Sequence, residues 1–230
     1  MSFFSQRWAR IAPLVAAAML AASVAAVARG AGPGWEHDDT EDGVALYTRE
    51  VSAHPYDVVR AVTTIDGDPR RLVALLRDVK AYPRWYHDCK RAQMLEHRGH
   101  DVPVTITADG GFGPTDFDER TLVFFLQESS PIDDRWAVIE NHMTIAPNGS
   151  LLLRFRSLDR HPYPAQADAV RMKLEGRWVL SPLSANRTRV TFELDIDPRT
   201  SMPTFLVDPK IHDAAVETLR NLRRLARRPD

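Results

Sequence analysis

"RTRVTFELDIDPRTSMPTFLVD", residues 187–208, changes its hydrophobic period once, and that change decides the fold. Val190, Phe192, Leu194 and Ile196 alternate with Arg189, Thr191, Glu193 and Asp195, the period of a strand with one buried and one wet face. Beyond Pro203 the spacing becomes helical. Leu206, Val207, Ile211, Ala214, Ala215, Thr218, Leu219, Leu222 and Leu225 form one stripe of a long helix, roughly 203–227. An antiparallel sheet with one buried face needs a cover, and this is the only element long enough to lie across it. The expected class is α+β: a curved antiparallel sheet around a long C-terminal helix, with space for a ligand between them.

The upstream chain supplies the other strands. In "AVRMKLEGRWVLSPL" (169–183), Met172, Leu174, Trp178 and Leu180 share a face with Gly176, while Arg171, Lys173, Glu175 and Arg177 take the other. Residues 43–51 and 56–66 read as a hairpin, and 91–96, 120–128, 136–145 and 150–158 read as further strands between turn signals. Leu72, Leu75, Leu76 and Val79 recur at helical spacing after Asp68-Pro69, a cap followed by a first-turn proline, and Pro83 ends or bends that helix. The stretch 101–119, with Gly110, Gly111, Gly113 and Pro114, reads as a long loop or insertion.

The first residues read as a targeting segment. Arg7 and Arg10 precede an apolar run, Ile11 to Ala28, that ends in Ala26-Val27-Ala28, with no acidic residue before Glu36. That pattern is a signal peptide, residues 1–28, cleaved after about Ala28; an uncleaved inner-membrane anchor is the alternative. An acidic lead, 29–42, and one domain, 43–228, follow, in a protein expected to be periplasmic or secreted. A single cysteine excludes an internal disulfide. Thirty basic against 31 acidic residues leave no global field for nucleic acid. The charge is uneven, however: acids crowd 36–42, and Arg220, Arg223, Arg224, Arg227 and Arg228 crowd the end. The arginines read as a solvated helix face that suits the macrodipole, with transient contact to an anionic membrane surface as the alternative. A monomer is expected.

"AYPRWYHDCKRAQMLE" (81–96) raises a catalytic question, because His87, Asp88 and Cys89 are adjacent. A cysteine nucleophile needs a lowered pKa and an oriented base, and nothing in the spacing supplies them, so the cluster reads as structural. His97, His100 and Asp101, or His37, Asp38 and Asp39, lack a partner cluster for a metal. "DGGFG" (109–113) follows no strand-to-helix pattern that would cradle phosphate. No cofactor and no metal are expected.

The order of elements, with "GVALYTREV", "VTTID", "LVALLRDVKAYPRWYHDCKRAQMLE", "SPIDDRWAVI", "VRMKLEGRWVLSPL", "TRVTFELDIDPRTSMPTFLVD" and "TLRNLR", resembles the bacterial branch of the START (steroidogenic acute regulatory protein-related lipid transfer) domains, within the Bet v 1-like helix-grip superfamily. Trp136, where the family usually has a second Asp after Asp134-Arg135, and the 101–119 insertion depart from it; Pro131 fits. The resemblance implies a deep, mostly apolar cavity for one lipid or other hydrophobic molecule, roofed by loops and the start of the last helix, with no catalytic residues. A charged pair in some relatives would map to Leu122 and Asn141. On that register Leu122, Phe124 and Leu126 face inward, as do Ala137, Ile139, Asn141 and Met143. Leu151, Leu153, Phe155, Met172, Trp178, Phe192 and Leu194 share the space, Trp85 touches it, and Arg120 stands at a polar rim. Met202, Phe205 and Leu206 form the lid. The alternatives are a polyketide cyclase or hydratase-like enzyme, using Asn141, Arg120 or Glu128, and an adaptor with its pocket filled by side chains.

Overall fold

A computed structural model describes residues 34–99, 102–130, 132–166 and 168–227. The expected signal peptide, residues 29–33 of the lead, and His100, Asp101, Pro131 and Arg228 lie outside the described residues.

The strands are β1 (Glu36–Glu41), β2 (Val44–Arg49), β3 (Val58–Asp66), β4 (Cys89–Gly99), β5 (Thr105–Ile106), β6 (Phe112–Gly113), β7 (Asp118–Gln127), β8 (Asp134–Ile145), β9 (Leu151–Ser157), β10 (Ala169–Arg171), β11 (Lys173–Ser184) and β12 (Arg187–Asp197). The helices are α1 (Pro69–Arg77), followed by a 3-10 turn (Val79–Arg84), and α2 (Thr204–Ala226). The main sheet runs β1-β2-β3-β12-β11-β9-β8-β7-β4, with β10 paired to β8. Its hairpins are antiparallel throughout; only β10 runs parallel to its neighbour. This is the curved antiparallel sheet closed by a C-terminal helix that the alternation in 187–197 predicts.

Local chemistry fixes the helix ends. Asp68 accepts from the Arg70 amide at 2.9 Å and Pro69 opens α1, where its missing N–H costs nothing. Pro83 lies inside the 3-10 turn that continues α1 toward β4. From α2, Val207, Ile211, Ala215, Val216, Leu219 and Leu222 are buried, and the helix packs against β2, β3 and β12. Full burial of a leucine such as Leu219 contributes roughly 1.5–3 kcal/mol.

Three expectations are corrected. The acidic lead is not outside the domain: Glu36–Glu41 is an edge strand paired to β2, unreadable as a strand because all six of its residues are exposed and it has no apolar face. The 101–119 stretch is not a bare insertion. It carries the β5-β6 hairpin and buries Phe112 and Phe117, and the Phe112 amide donates to the Gly149 carbonyl at 2.8 Å. The terminal arginines are not simply solvated either. Arg220 meets Glu41 at 2.8 Å and Asp42 at 3.0 Å, Arg223 donates to the Asp42 carbonyl, and Arg227 meets Asp66 at 3.1 Å. The acidic and basic ends of the sequence are partners.

Candidate functional site

The sheet and α2 enclose a cavity of about 200 Å³. Its walls come from alternate residues of five strands: Val123 and Phe125 (β7), Ile139 and Asn141 (β8), Leu153 and Phe155 (β9), Leu174 and Trp178 (β11), Leu194 and Ile196 (β12). Met172 joins them from the link between β10 and β11. Met202, Leu206, Val207, Ile211, Ala214 and Thr218 form the roof, and Tyr82 and Tyr86 also line the space. Gly176 faces the same side, and its hydrogen lets the Phe155 ring lie over the strand; a Cβ there would stand 2.6 Å from Phe155 Cζ and 2.0 Å from the Glu193 carbonyl oxygen.

Aromatic rings hold the wall rigid. Trp178 stacks on Phe192 with centroids 4.1 Å apart and donates from Nε1 to the Tyr86 hydroxyl at 3.1 Å, which satisfies the indole N–H inside an apolar wall. Tyr86 stands perpendicular to Trp178, 6.0 Å away. Burial raises the Tyr82 and Tyr86 hydroxyls well above the ordinary tyrosine range, so both stay neutral. Asn141 donates from Nδ2 to Thr121 Oγ1 at 3.1 Å. Polar residues also line the space: His87, Asp88, Gln127, Glu128, Ser129, Ser130, Arg135, Lys210 and Asp213.

Among the expected positions, Asn141, Phe155, Met172, Trp178, Met202 and Leu206 line the cavity. Phe192 is buried behind Trp178, and Trp85 lies within ring contact of Tyr82, Tyr86 and Trp178, so both support the wall without lining it. Met143 points inward beside a separate small hollow with Glu119 and Arg77, whose guanidinium is bonded to both Glu119 oxygens.

The inward parity assigned to β7 is wrong by one residue. Thr121 opposes Asn141, Val123 opposes Ile139 and Phe125 opposes Ala137; Val123 and Phe125 line the cavity, and Thr121, on the same face, lines the small hollow. Leu122 opposes Glu140, which is ion-paired with Arg156 on the outer surface. Phe124 lies in an outer cluster with Trp136 and Val138, under Tyr163, whose ring stacks on it at 4.5 Å. Arg120 is exposed beside Asp118 and is no part of the rim. The physical reason is that β7 is apolar on both faces, because Leu158, Tyr163 and Ala169 cover its outside. Phe205 is also corrected: it points to solvent at 71% exposure, and Leu206 takes the roof position. The readings from sequence missed Tyr86, Val123, Phe125, Arg135 and Lys210; for the two β7 residues the only available signal was the lack of alternation itself.

The adjacent His87, Asp88 and Cys89 separate in space. His87 and Asp88 stand at the rim, 3.1 Å apart, while Cys89 is buried away from the cavity with its thiol pushed up to about 12 by burial. At neutral pH that thiol is protonated and a poor nucleophile. Among the described residues no group of three or more His, Cys, Asp or Glu is placed to hold a metal, and no helix is long and apolar enough to cross a membrane.

Residues 65–223 match the family described as polyketide cyclase / dehydrase and lipid transport. An uncharacterized protein of Pseudomonas aeruginosa is 29% identical over 210 residues, 90% of this chain and 95% of its own. Among solved structures, a STAR-related lipid transfer protein from Xanthomonas axonopodis superposes with a TM-score of 0.70 at 21% identity, covering 85% of this chain and 99% of that one. Human StAR-related lipid transfer protein 5 gives 0.67 at 17% identity, covering 91% and 97%.

Proposed function

Because the chain belongs to the polyketide cyclase / dehydrase and lipid transport family and has the helix-grip fold of START domains, we propose that it binds one lipid or other hydrophobic small molecule between the sheet and α2, without catalysis, and carries it. The observation that supports this reading is the cavity itself: about 200 Å³, walled mostly by aliphatic and aromatic side chains, with Arg135 and Lys210 among the few charged groups that line it. Such a site matches a guest with an apolar body and a polar tip. Export through the N-terminal segment belongs to the same proposal and places the cargo outside the cytoplasm; the intact mass of the exported protein would begin near residue 29.

Native mass spectrometry of the purified protein, followed by solvent extraction, tests the binding. A discrete added mass that extracts into solvent is the expected result. A clean protein mass, with no uptake when dodecanol or phospholipid is offered, would sink it. The competing reading, a cyclase-like enzyme, draws on one observation: His87 and Asp88 form a base and orienter pair on the cavity rim. Turnover of a polyketide-like substrate that disappears in His87→Ala would favour that reading.

A further inference from the structure

Arg135, the second residue of β8, lines the cavity together with Ile132, Pro198 and Met202, at 4% exposure. Its Nε donates to the Pro198 carbonyl at 2.6 Å and its Nη1 to the carbonyls of Asp133 and Asp134. Among the described residues, Nη2 has no hydrogen-bond partner and no carboxylate lies within 4.0 Å of the guanidinium. A guanidinium stays charged wherever it is placed, and a buried charge without a counter-charge is costly. Here burial acts against the cation, and Asp133 offsets it only from a distance.

Asp88, Glu128 and Asp134 are engaged elsewhere. Asp88 faces His87 at 3.1 Å, and Glu128 and Asp134 face Lys90 at 3.8 and 2.9 Å; Asp213 is exposed. Lys210, from α2, lines the same space and donates to the Ser130 carbonyl at 2.8 Å, again with no carboxylate within 4.0 Å among the described residues. Two cations thus line one largely apolar cavity, Arg135 buried and Lys210 exposed at its edge, both donating to main-chain carbonyls and neither within 4.0 Å of a carboxylate among the described residues.

We infer that the guest carries an anionic head group, a carboxylate or a phosphate, that seats on Arg135, with Lys210 holding it at the rim and the apolar chain lying along Phe155 and Trp178. The planar guanidinium suits either oxyanion, since its remaining N–H groups present a fork that a carboxylate or phosphate accepts. This inference rests on the ligand-binding reading above and narrows it to a ligand class.

Displacement of a neutral fluorescent probe from the purified protein by dodecanoate, dodecyl phosphate and dodecanol, at pH 8, separates the two levels. One or both anions should bind about tenfold to a hundredfold more tightly than the alcohol, the scale of charge-assisted hydrogen bonds. Whichever anion is preferred identifies the head group. Arg135→Gln should bring the anions down toward the alcohol's affinity, and Lys210→Gln should weaken the anions by a few-fold. Equal binding of all three by the wild type overturns the anionic guest while keeping the hydrophobic one. Displacement by none of them overturns both. A preference that survives in Arg135→Gln removes Arg135 from the site. Should that variant fail to fold, the wild-type comparison still decides the head group, and Arg135→Lys, which keeps the charge and loses the fork, should retain part of the preference.

Discussion

Ala215, Leu219 and Leu222, in the C-terminal half of α2, are fully buried, whereas Phe205 and Leu206, in its first turn, are 71% and 44% exposed. One amphipathic stripe runs through both halves, yet the first half roofs a void and the second closes a core. The difference lies in what faces the helix. The helix packs directly on β2, β3 and β12, while residues of β7, β8, β9 and β11 look toward its N-terminal half across the cavity. A hydrophobic pattern therefore reports which face turns inward and is silent on whether a side chain or an empty space meets it there.

The sharpest way to break this contrast is Leu219→Ala. It should cost about 3–4 kcal/mol in urea unfolding, as deletions in closely packed cores do, and leave guest affinity at low temperature unchanged. A cost below about 1 kcal/mol would mean that the C-terminal half is as loosely packed as the roof. The second effect is alkaline. Folded Cys89 holds its proton up to about 12, whereas the unfolded thiol releases its own near 9. The folded state then binds more protons than the unfolded one above pH 9, so this contribution is complete below pH 9 and is lost as pH rises toward 12. Stability should fall by about 2–3 kcal/mol between pH 9 and 11, with the buried tyrosines acting in the same direction, and Cys89→Ala should remove the cysteine's share. An ordinary titration of this thiol would show that water reaches the helix-to-strand exit beneath the cavity.

Ala214→Phe places a ring in the void from the roof. Guest affinity should fall at least about tenfold, while unfolding shifts by less than about 1 kcal/mol because the space already exists. A large destabilisation instead would mean the roof is already filled. The smallest effect belongs to Phe205→Ser. As an exposed position outside the cavity it should change stability by no more than about 0.5 kcal/mol, measured in the same urea titration.

How far these features can be read from sequence follows the same physics. The β11 and β12 registers and α2 are legible because each has one wet face: Arg177 and Glu193 mark the outside as plainly as Trp178 and Phe192 mark the inside. The β7 strand has no such marker. Leu122, Phe124 and Leu126 are as apolar as Val123 and Phe125, and the choice between the two faces rests on a cover that arrives some forty residues later, with Tyr163. β1 fails for the opposite reason, since its residues are polar on both faces and only pairing makes it a strand. Arg135 looks like any surface cation in sequence, and its burial depends on the Pro198 turn closing over it.

β1 and β4 are the two ends of the main sheet path, and an unpaired strand edge is where another polypeptide can add itself. β1 carries Glu36, Asp38, Asp39 and Glu41, and β4 carries Lys90, Arg91, Glu96 and Arg98. A neighbouring molecule that approached either edge would have to strip water from those charges before it could form its first hydrogen bond. The open sheet thus resists edge-to-edge aggregation, and it does so without a disulfide, because the residues that close the molecule's ends are the ones most strongly hydrated.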